Sequence, residues 1–309
     1  MPANTPLILL CPGQGAQHVG MGRAWHQSSS AARQTFDEAC QILGQDLAPT
    51  CFEGPEEQVH RTDFAQAGIY VTSIACFRAL VEQQVISPES LTAAAGLSLG
   101  EYTALHLAGV LSFADGLRLV HQRGQFMQEA AEAIDSGMVA VIGAEDQQVQ
   151  ALCTAAAGGE VLVAANFNCP GQVVVSGTSA ACGRCLQEAE KLGMRATALT
   201  VAGAFHSPLM QPAADRMAQA LEQVDFHPPR VPVLSNVTGE PHDPDPGSIR
   251  SLLVQQITSA VHWARNMQWL GTHHAQADYV ELAPGKVLAG LMRRIDRKRK
   301  VRPFPEPRT

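Results

Sequence analysis

Residues 7–10 read Leu-Ile-Leu-Leu with no polar interruption, which predicts a strand covered on both faces and ending at Cys11-Pro12-Gly13-Gln14-Gly15. Residues 64–84 are apolar densely enough to predict a buried helix. A second short apolar run, Leu91–Ala95, suits another two-sided strand. It leads into Gly96-Leu97-Ser98-Leu99-Gly100, after which a helix over Glu101–Ala108 begins at once. Ser112 with Asp115 three residues on reads as a helix N-cap. The helix it opens carries Leu117, Val120, Gly124, Met127 and Ala131 at steps of three and four, a buried stripe with Arg123 on its border.

From Gly137 the periodicity changes. Strands are predicted at Met138–Ile142, Val161–Ala165, Val173–Val175 and Ala196–Val201, with helices over Asp146–Ala157 and Ser179–Leu192. This βαββαβ order, with a Pro170-Gly171 turn between its middle strands, is the ferredoxin-like arrangement. Beyond it come Ala204-Phe205-His206-Ser207, a helix over 209–223, a strand at Val231–Leu234, a helix from Ser248 and a strand at Tyr279–Glu281. The expected fold class is therefore α/β. Its α/β-hydrolase-like catalytic domain spans residues 1–134 and 203–309, interrupted by a ferredoxin-like subdomain over 135–202.

Composition narrows the field without choosing a function. Across 309 residues, 46% hydrophobic and 17% charged is an ordinary globular balance. A net charge of −7 argues against a general nucleic-acid binder. The charge is uneven: residues 293–309 hold eight Lys and Arg against Asp296 and Glu306, a basic stretch that reads as a solvated tail or as a landing area for an acidic partner. Eight cysteines without a secretory signal fit a reducing, cytoplasmic setting, and Cys182-Gly-Arg-Cys185, lacking a second pair, reads as structural. No apolar run reaches the roughly 18 residues of a membrane span, so no membrane partner is expected.

Candidate chemistry centres on Ser98. Strand, Gly-x-Ser-x-Gly, helix is the setting in which a serine sits on a sharp exposed turn with helix N–H groups beside it. The N–H of Leu99 is the natural oxyanion donor. An ordinary glycine-rich loop is the plain alternative. A phosphate loop is disfavoured, because neither glycine-rich segment continues into Gly-Lys-[Ser/Thr]. A serine hydroxyl needs a base. Among eleven histidines, His206 is favoured by its place in a small-residue loop at the return from the inserted domain. His106 would point along its own helix, and His273-His274 reads as solvated. Spacing alone does not choose the base.

At these residues the chain resembles the malonyl-CoA:acyl-carrier-protein transacylases, and more broadly the acyltransferase domains of fatty-acid and polyketide synthases. The ordered blocks are Pro12-Gly13-Gln14-Gly15-Ala16-Gln17, Gly96-Leu97-Ser98-Leu99-Gly100-Glu101-Tyr102, Gln122-Arg123-Gly124, Asn166-Phe167-Asn168-Cys169-Pro170-Gly171-Gln172, Ala204-Phe205-His206-Ser207-Pro208, Ser235-Asn236-Val237-Thr238-Gly239 and Pro284-Gly285-Lys286. The resemblance implies Ser98 as acylated nucleophile and His206 as general base and acid. It implies that the backbone carbonyl of Gln256 orients the histidine, in place of an acid side chain. The N–H groups of Gln14 and Leu99 would form the oxyanion hole, Arg123 would clamp the malonyl carboxylate, and Phe205 would favour malonyl over branched acyl groups. The implied substrate is malonyl-CoA, the implied partner an acyl carrier protein bearing phosphopantetheine, and neither a metal nor a bound cofactor is required. Leu97, where many bacterial members have histidine, is a departure that touches local substrate contacts. The rival readings are a serine hydrolase or thioesterase using the same turn, a transacylase serving a polyketide synthase, and a silent binding protein. The carboxylate clamp at Arg123 separates the first of these.

Overall fold

In the computed structural model, which describes residues 5–308, the opening apolar run forms β1 (Leu7–Cys11), buried along its whole length. The chain then passes through α1 (Arg23–Ser28), α2 (Ser30–Leu43), α3 (Ala48–Glu53), α4 (Glu56–His60) and the long α5 (Thr62–Glu82) before returning as β2 (Leu91–Gly96). Two helices follow, α6 (Gly100–Leu107) and α7 (Phe113–Glu132). The next stretch is β3 (Ser136–Ile142), α8 (Asp146–Ala156), β4 (Leu162–Cys169), β5 (Gln172–Thr178), α9 (Ser179–Lys191) and β6 (Arg195–Ala198). The remainder is α10 (Gln211–Glu222), β7 (Val233–Leu234), α11 (Pro246–Thr258), α12 (Trp263–His273), β8 (Asp278–Glu281), α13 (Val287–Ile295) and β9 (Val301–Pro303).

The strands make two sheets. One is parallel, in the order β7-β2-β1-β8-β9; the other is antiparallel, in the order β4-β5-β3-β6. Alternation along β1 explains why it is apolar throughout: Leu7 and Leu9 enter one core, Ile8 and Leu10 the other, on opposite faces of the parallel sheet. In the antiparallel sheet Val139, Val141, Val173 and Val175 pack on α8 and α9 as a separate core, while Met138, Ala140 and Val174 turn toward the main body. The antiparallel sheet is tied by backbone to the segment that leads into α12. Phe167 N–H donates to the Val261 carbonyl at 2.9 Å and Val261 N–H to that of Ala165 at 2.8 Å, with the Phe167 and His262 rings stacked over the seam.

Three expectations change. Helix α5 is long and apolar enough to cross a membrane, contrary to the sequence reading, but most of it is buried between α2 and α7 as a core helix. β6 stops at Ala198, and Leu199, Thr200, Val201 and Phe205 beyond it line a cavity. The basic C-terminal segment is folded. Its β9 pairs with β8, Phe304 is buried, Arg299 donates to the Gly271 carbonyl at 3.0 Å, and Trp25 Nε1–H donates to the Pro305 carbonyl. Helices α12 and α13 have no counterpart in the sequence reading. All eight cysteines are free thiols; Cys182 and Cys185 are buried on α9, and burial pushes the Cys185 thiol up to about 11.

Candidate active site

Between the end of β2 and the start of α6 only Leu97, Ser98 and Leu99 are available to reverse the chain. A Cβ on Gly96 would lie 1.8 Å from the Gly100 carbonyl carbon, and one on Gly100 would lie 2.1 Å from the Cys11 oxygen, so this turn closes only with glycine at both ends. Ser98 itself is left-handed, with φ 51°, a region costly for a residue with a Cβ. The side chain of Asn236, just beyond β7, holds the turn from below. Its Oδ1 accepts from the Ser98 N–H at 2.6 Å and its Nδ2 donates to the Gly96 carbonyl at 2.7 Å.

Facing the serine is His206, whose Nε2 lies 2.8 Å from Ser98 Oγ. Its Nδ1 lies 2.8 Å from the Gln256 carbonyl, an acceptor only, so Nδ1 carries the hydrogen and Nε2 is left to accept from the hydroxyl. His206 is also left-handed, φ 57°, and buried. Two strained non-glycine residues in hydrogen-bond contact mark a site whose geometry the surrounding fold over-determines. Burial, with the nearby Arg123 guanidinium adding to it, lowers the His206 pKa to about 4, so the imidazole is neutral and able to take a proton at neutral pH.

Arg123 reaches the same hydroxyl from α7. Its Nη2 donates to Ser98 Oγ at 3.1 Å and to Gln256 Oε1 at 2.9 Å, and its Nη1 donates to Gln66 Oε1 at 2.7 Å. It is 1% exposed, where spacing on the helix placed it at the border of the stripe. All its acceptors are neutral, so the guanidinium has no acid in direct contact. Burial pushes its pKa below the usual arginine value.

Ser98, Arg123, Phe205, His206 and Gln14 line one cavity of about 410 Å³ between the two sheets, together with Leu97, Asn166, Asn168 and Gln172. The backbone N–H groups of Gln14 and Leu99 donate to no protein acceptor among the described residues, while those of Leu97, Ser98, Gly100 and Glu101 are all engaged. A larger cavity of about 590 Å³, bordered by Leu47, Arg61 and Gln125, contains none of these groups. The cavity mouth carries Val287 and Leu291 of α13, whose N-terminal N–H groups at Leu288 and Ala289 donate to buried Glu281, each at 2.8 Å. No group of metal-binding residues occurs among the described residues.

Ser98, His206, Gln14, Leu99, Arg123, Phe205 and Gln256 are thus all at this cavity or directly behind it, and His106 and His273-His274 are not. His106 bonds the Leu111 carbonyl and His273 stacks on Trp269. Asn236, Gln66, Glu101 and the side chain of Gln256 had no assigned part in the sequence reading. Asn236 and Glu101 did lie inside blocks of the resemblance, the one signal that could have raised them.

Residues 8–287 match the family model of the acyl transferase domain. The chain belongs to the acyl transferase family. This acyl transferase is 39% identical over 292 residues to the malonyl CoA-acyl carrier protein transacylase of Escherichia coli strain K12, covering 94% of this chain and 93% of that protein. It is 36% identical to the Bacillus subtilis (strain 168) transacylase of the same name, covering 98% and 94%. Among solved structures, the malonyl CoA-acyl carrier protein transacylase of Coxiella burnetii superposes with a TM-score of 0.93 at 34% identity, over 98% of this chain and 95% of that one. A malonyl-transacylase in complex with AntF, a type II polyketide acyl-carrier protein, superposes with a TM-score of 0.92 at 34% identity, over 98% and 97%.

Proposed function

We propose that this acyl transferase moves a malonyl group from malonyl-CoA to the phosphopantetheine thiol of an acyl carrier protein, through a malonyl-Ser98 intermediate, in fatty-acid biosynthesis. The proton of Ser98 Oγ passes to His206 Nε2 as the oxygen attacks the thioester carbonyl carbon. The N–H groups of Gln14 and Leu99 hold the resulting oxyanion. As the C–S bond breaks, coenzyme A leaves with the proton returned by His206. The carrier thiol then gives its proton to His206 and attacks the acyl-serine, restoring the hydroxyl. The Gln256 carbonyl keeps the imidazole in one tautomer throughout. A carbonyl lacks the full charge of a buried acid, so the imidazolium is a brief species rather than a resting one.

The observation that carries the reading is Arg123 Nη2 at 3.1 Å from Ser98 Oγ. A guanidinium there, with no acid in direct contact, offers a bidentate seat to a carboxylate attached near the reacting carbonyl. Malonyl carries such a carboxylate and acetyl does not. Phe205, 6% exposed at the cavity wall, limits branching at the acyl α-carbon. The supporting architecture is an α/β-hydrolase-like catalytic domain, residues 1–134 and 203–309, with a ferredoxin-like subdomain at 135–202 closing the cleft against water. The reaction draws on no metal or bound cofactor, and a cytoplasmic location suits both substrates. The basic residues around 293–302, which follow cavity-lining Leu291 and of which Arg294 donates to cavity-lining Gln172, give an acidic carrier a place to dock.

Incubating the protein with malonyl-CoA or acetyl-CoA and weighing it intact tests this. A stable malonyl adduct is expected, absent in Ser98→Ala. In Arg123→Ala its formation should slow roughly 100-fold or more, the value of a bidentate charge-assisted pair. Rapid release of free malonate without a carrier would make the protein a hydrolase instead.

A further inference from the structure

The proposed mechanism uses the backbone carbonyl of Gln256 and leaves its side chain, and the acid beneath it, without a part. Glu101, in the first turn of α6, has no solvent exposure. Its Oε2 accepts from Gln256 Nε2 at 2.7 Å and from the Asn236 N–H at 3.0 Å. Its Oε1 lies 2.6 Å from Nε2 of His242, whose side chain is equally buried. The Gln256 amide is thereby caught between groups of opposite character. A carboxylate only accepts and a guanidinium only donates. With Nε2 toward Glu101 and Oε1 toward Arg123, both ends are satisfied; turned half a rotation, the amide would set NH₂ against guanidinium and oxygen against carboxylate. Gln256 Nε2 also donates to the Ser98 carbonyl at 3.0 Å, which ties the same amide to the nucleophile's backbone.

We propose that Glu101 is a positioning residue that fixes the orientation of the Gln256 side-chain amide and, through it, aims Arg123 at the Ser98 hydroxyl. His242 steadies the carboxylate from the far side. The consequence is selective. Without the acceptor at position 101 the Nε2 end of the amide keeps only its longer bond to the Ser98 carbonyl, at 3.0 Å, so Arg123, still held by Gln66 on its Nη1 side, has a looser acceptor at Nη2 and strays from the place where a carboxylate-bearing acyl group needs it. An acyl group without a carboxylate loses less. The inference rests on Arg123 being the carboxylate clamp.

The test is the ratio of Ser98 acylation rates with malonyl-CoA and acetyl-CoA, read by intact mass on the full chain. In Glu101→Met the malonyl-to-acetyl ratio should fall roughly tenfold or more, the weight of one charge-assisted hydrogen bond. Glu101→Gln keeps an oxygen toward Asn236 and Gln256 while its NH₂ faces His242, which accepts by moving its proton to Nδ1. That variant should hold the ratio within about threefold of wild type. A folded Glu101→Met enzyme whose two rates drop together, leaving the ratio unchanged, overturns the proposal. So does a Glu101→Gln ratio as low as that expected of Glu101→Met, because acceptor geometry rather than charge is what is invoked. Should Glu101→Met fail to fold, Gln256→Met deletes the amide and keeps the carbonyl; its ratio is expected to fall likewise, and an unchanged one overturns the idea. A wild-type enzyme with no malonyl preference would instead defeat the carboxylate-clamp reading of Arg123, a separate and distinguishable failure.

Discussion

Replacing Asn236 with alanine should loosen the nucleophile turn through its backbone, while Asn236 itself does not line the substrate cavity. Its side chain makes two bonds, from Ser98 N–H at 2.6 Å and to the Gly96 carbonyl at 2.7 Å. The Gly96 carbonyl is buried, so its loss of a donor carries most of an unsatisfied acceptor's penalty, about 1–3 kcal/mol. Ser98 is half-buried and its N–H can turn to water, so that bond adds only about 1 kcal/mol. Together they predict a loss of roughly 2–4 kcal/mol, large enough for the left-handed Ser98, itself strained by about 1–3 kcal/mol, to relax. Urea unfolding should therefore show a lower midpoint at unchanged slope. Ser98 acylation by malonyl-CoA and acetyl-CoA should slow equally, by roughly 10- to 100-fold, because the nucleophile and not the clamp has moved. Asn236→Asp keeps an acceptor for Ser98 but sets a carboxylate against the Gly96 oxygen, and should be no better. Stability within about 0.5 kcal/mol of wild type, with rates within twofold, would show that glycine packing alone holds the turn and refute the reasoning.

The depressed His206 pKa sets a pH profile: since the lowered value favours the neutral ring, acetyl transfer to Ser98 should stay level from neutrality downward and halve only at about pH 4. Acetyl-CoA is the reporter because it adds no titrating carboxylate, and a midpoint at the ordinary 6.5 would contradict the burial argument. Gly96→Ala should abolish acylation and cost about 3 kcal/mol or more, seen as a collapsed thermal midpoint, because its Cβ has only backbone to displace; a wild-type midpoint would show that the turn can open. Charge reversal at Arg297, Lys298 and Lys300, all exposed, should raise the KM for the carrier and do so more at low salt. An unchanged KM would remove this face from the docking surface.

The elements that carry the site were legible where a local pattern encodes them. Ser112 Oγ does accept from the Asp115 N–H, at 3.0 Å, and the five stripe residues of α7 are buried as their spacing predicts. The strand–turn–helix at Ser98 follows from glycines that stand next to each other in the chain. Arg123 shows where spacing gives out: periodicity fixes the angle of a side chain around a helix, not how far a long one reaches inward. Asn236 and Gln256 lie 138 and 158 residues from Ser98, so their bonds to it exist only once the fold is assembled. Selecting His206 required the resemblance for the same reason. The C-terminal segment misled because β9 has only three residues, too few for any alternation to register, and its basic side chains dominate the composition.

Strand β1 lies between β2 and β8, pairing Leu7 with Leu91 on one side and with Asp278 on the other. During synthesis its second edge therefore stays open until nearly the whole chain has emerged. The antiparallel sheet has no such delay, since all the pairings between its strands fall between residues 136 and 198. Synthesis would pass through a stage in which the inserted sheet is complete while the main one remains an exposed apolar strand seeking an edge. Truncation before residue 278 should leave a chain that aggregates around a properly formed middle, because the span from β8 onward is the clasp that closes the second edge of β1.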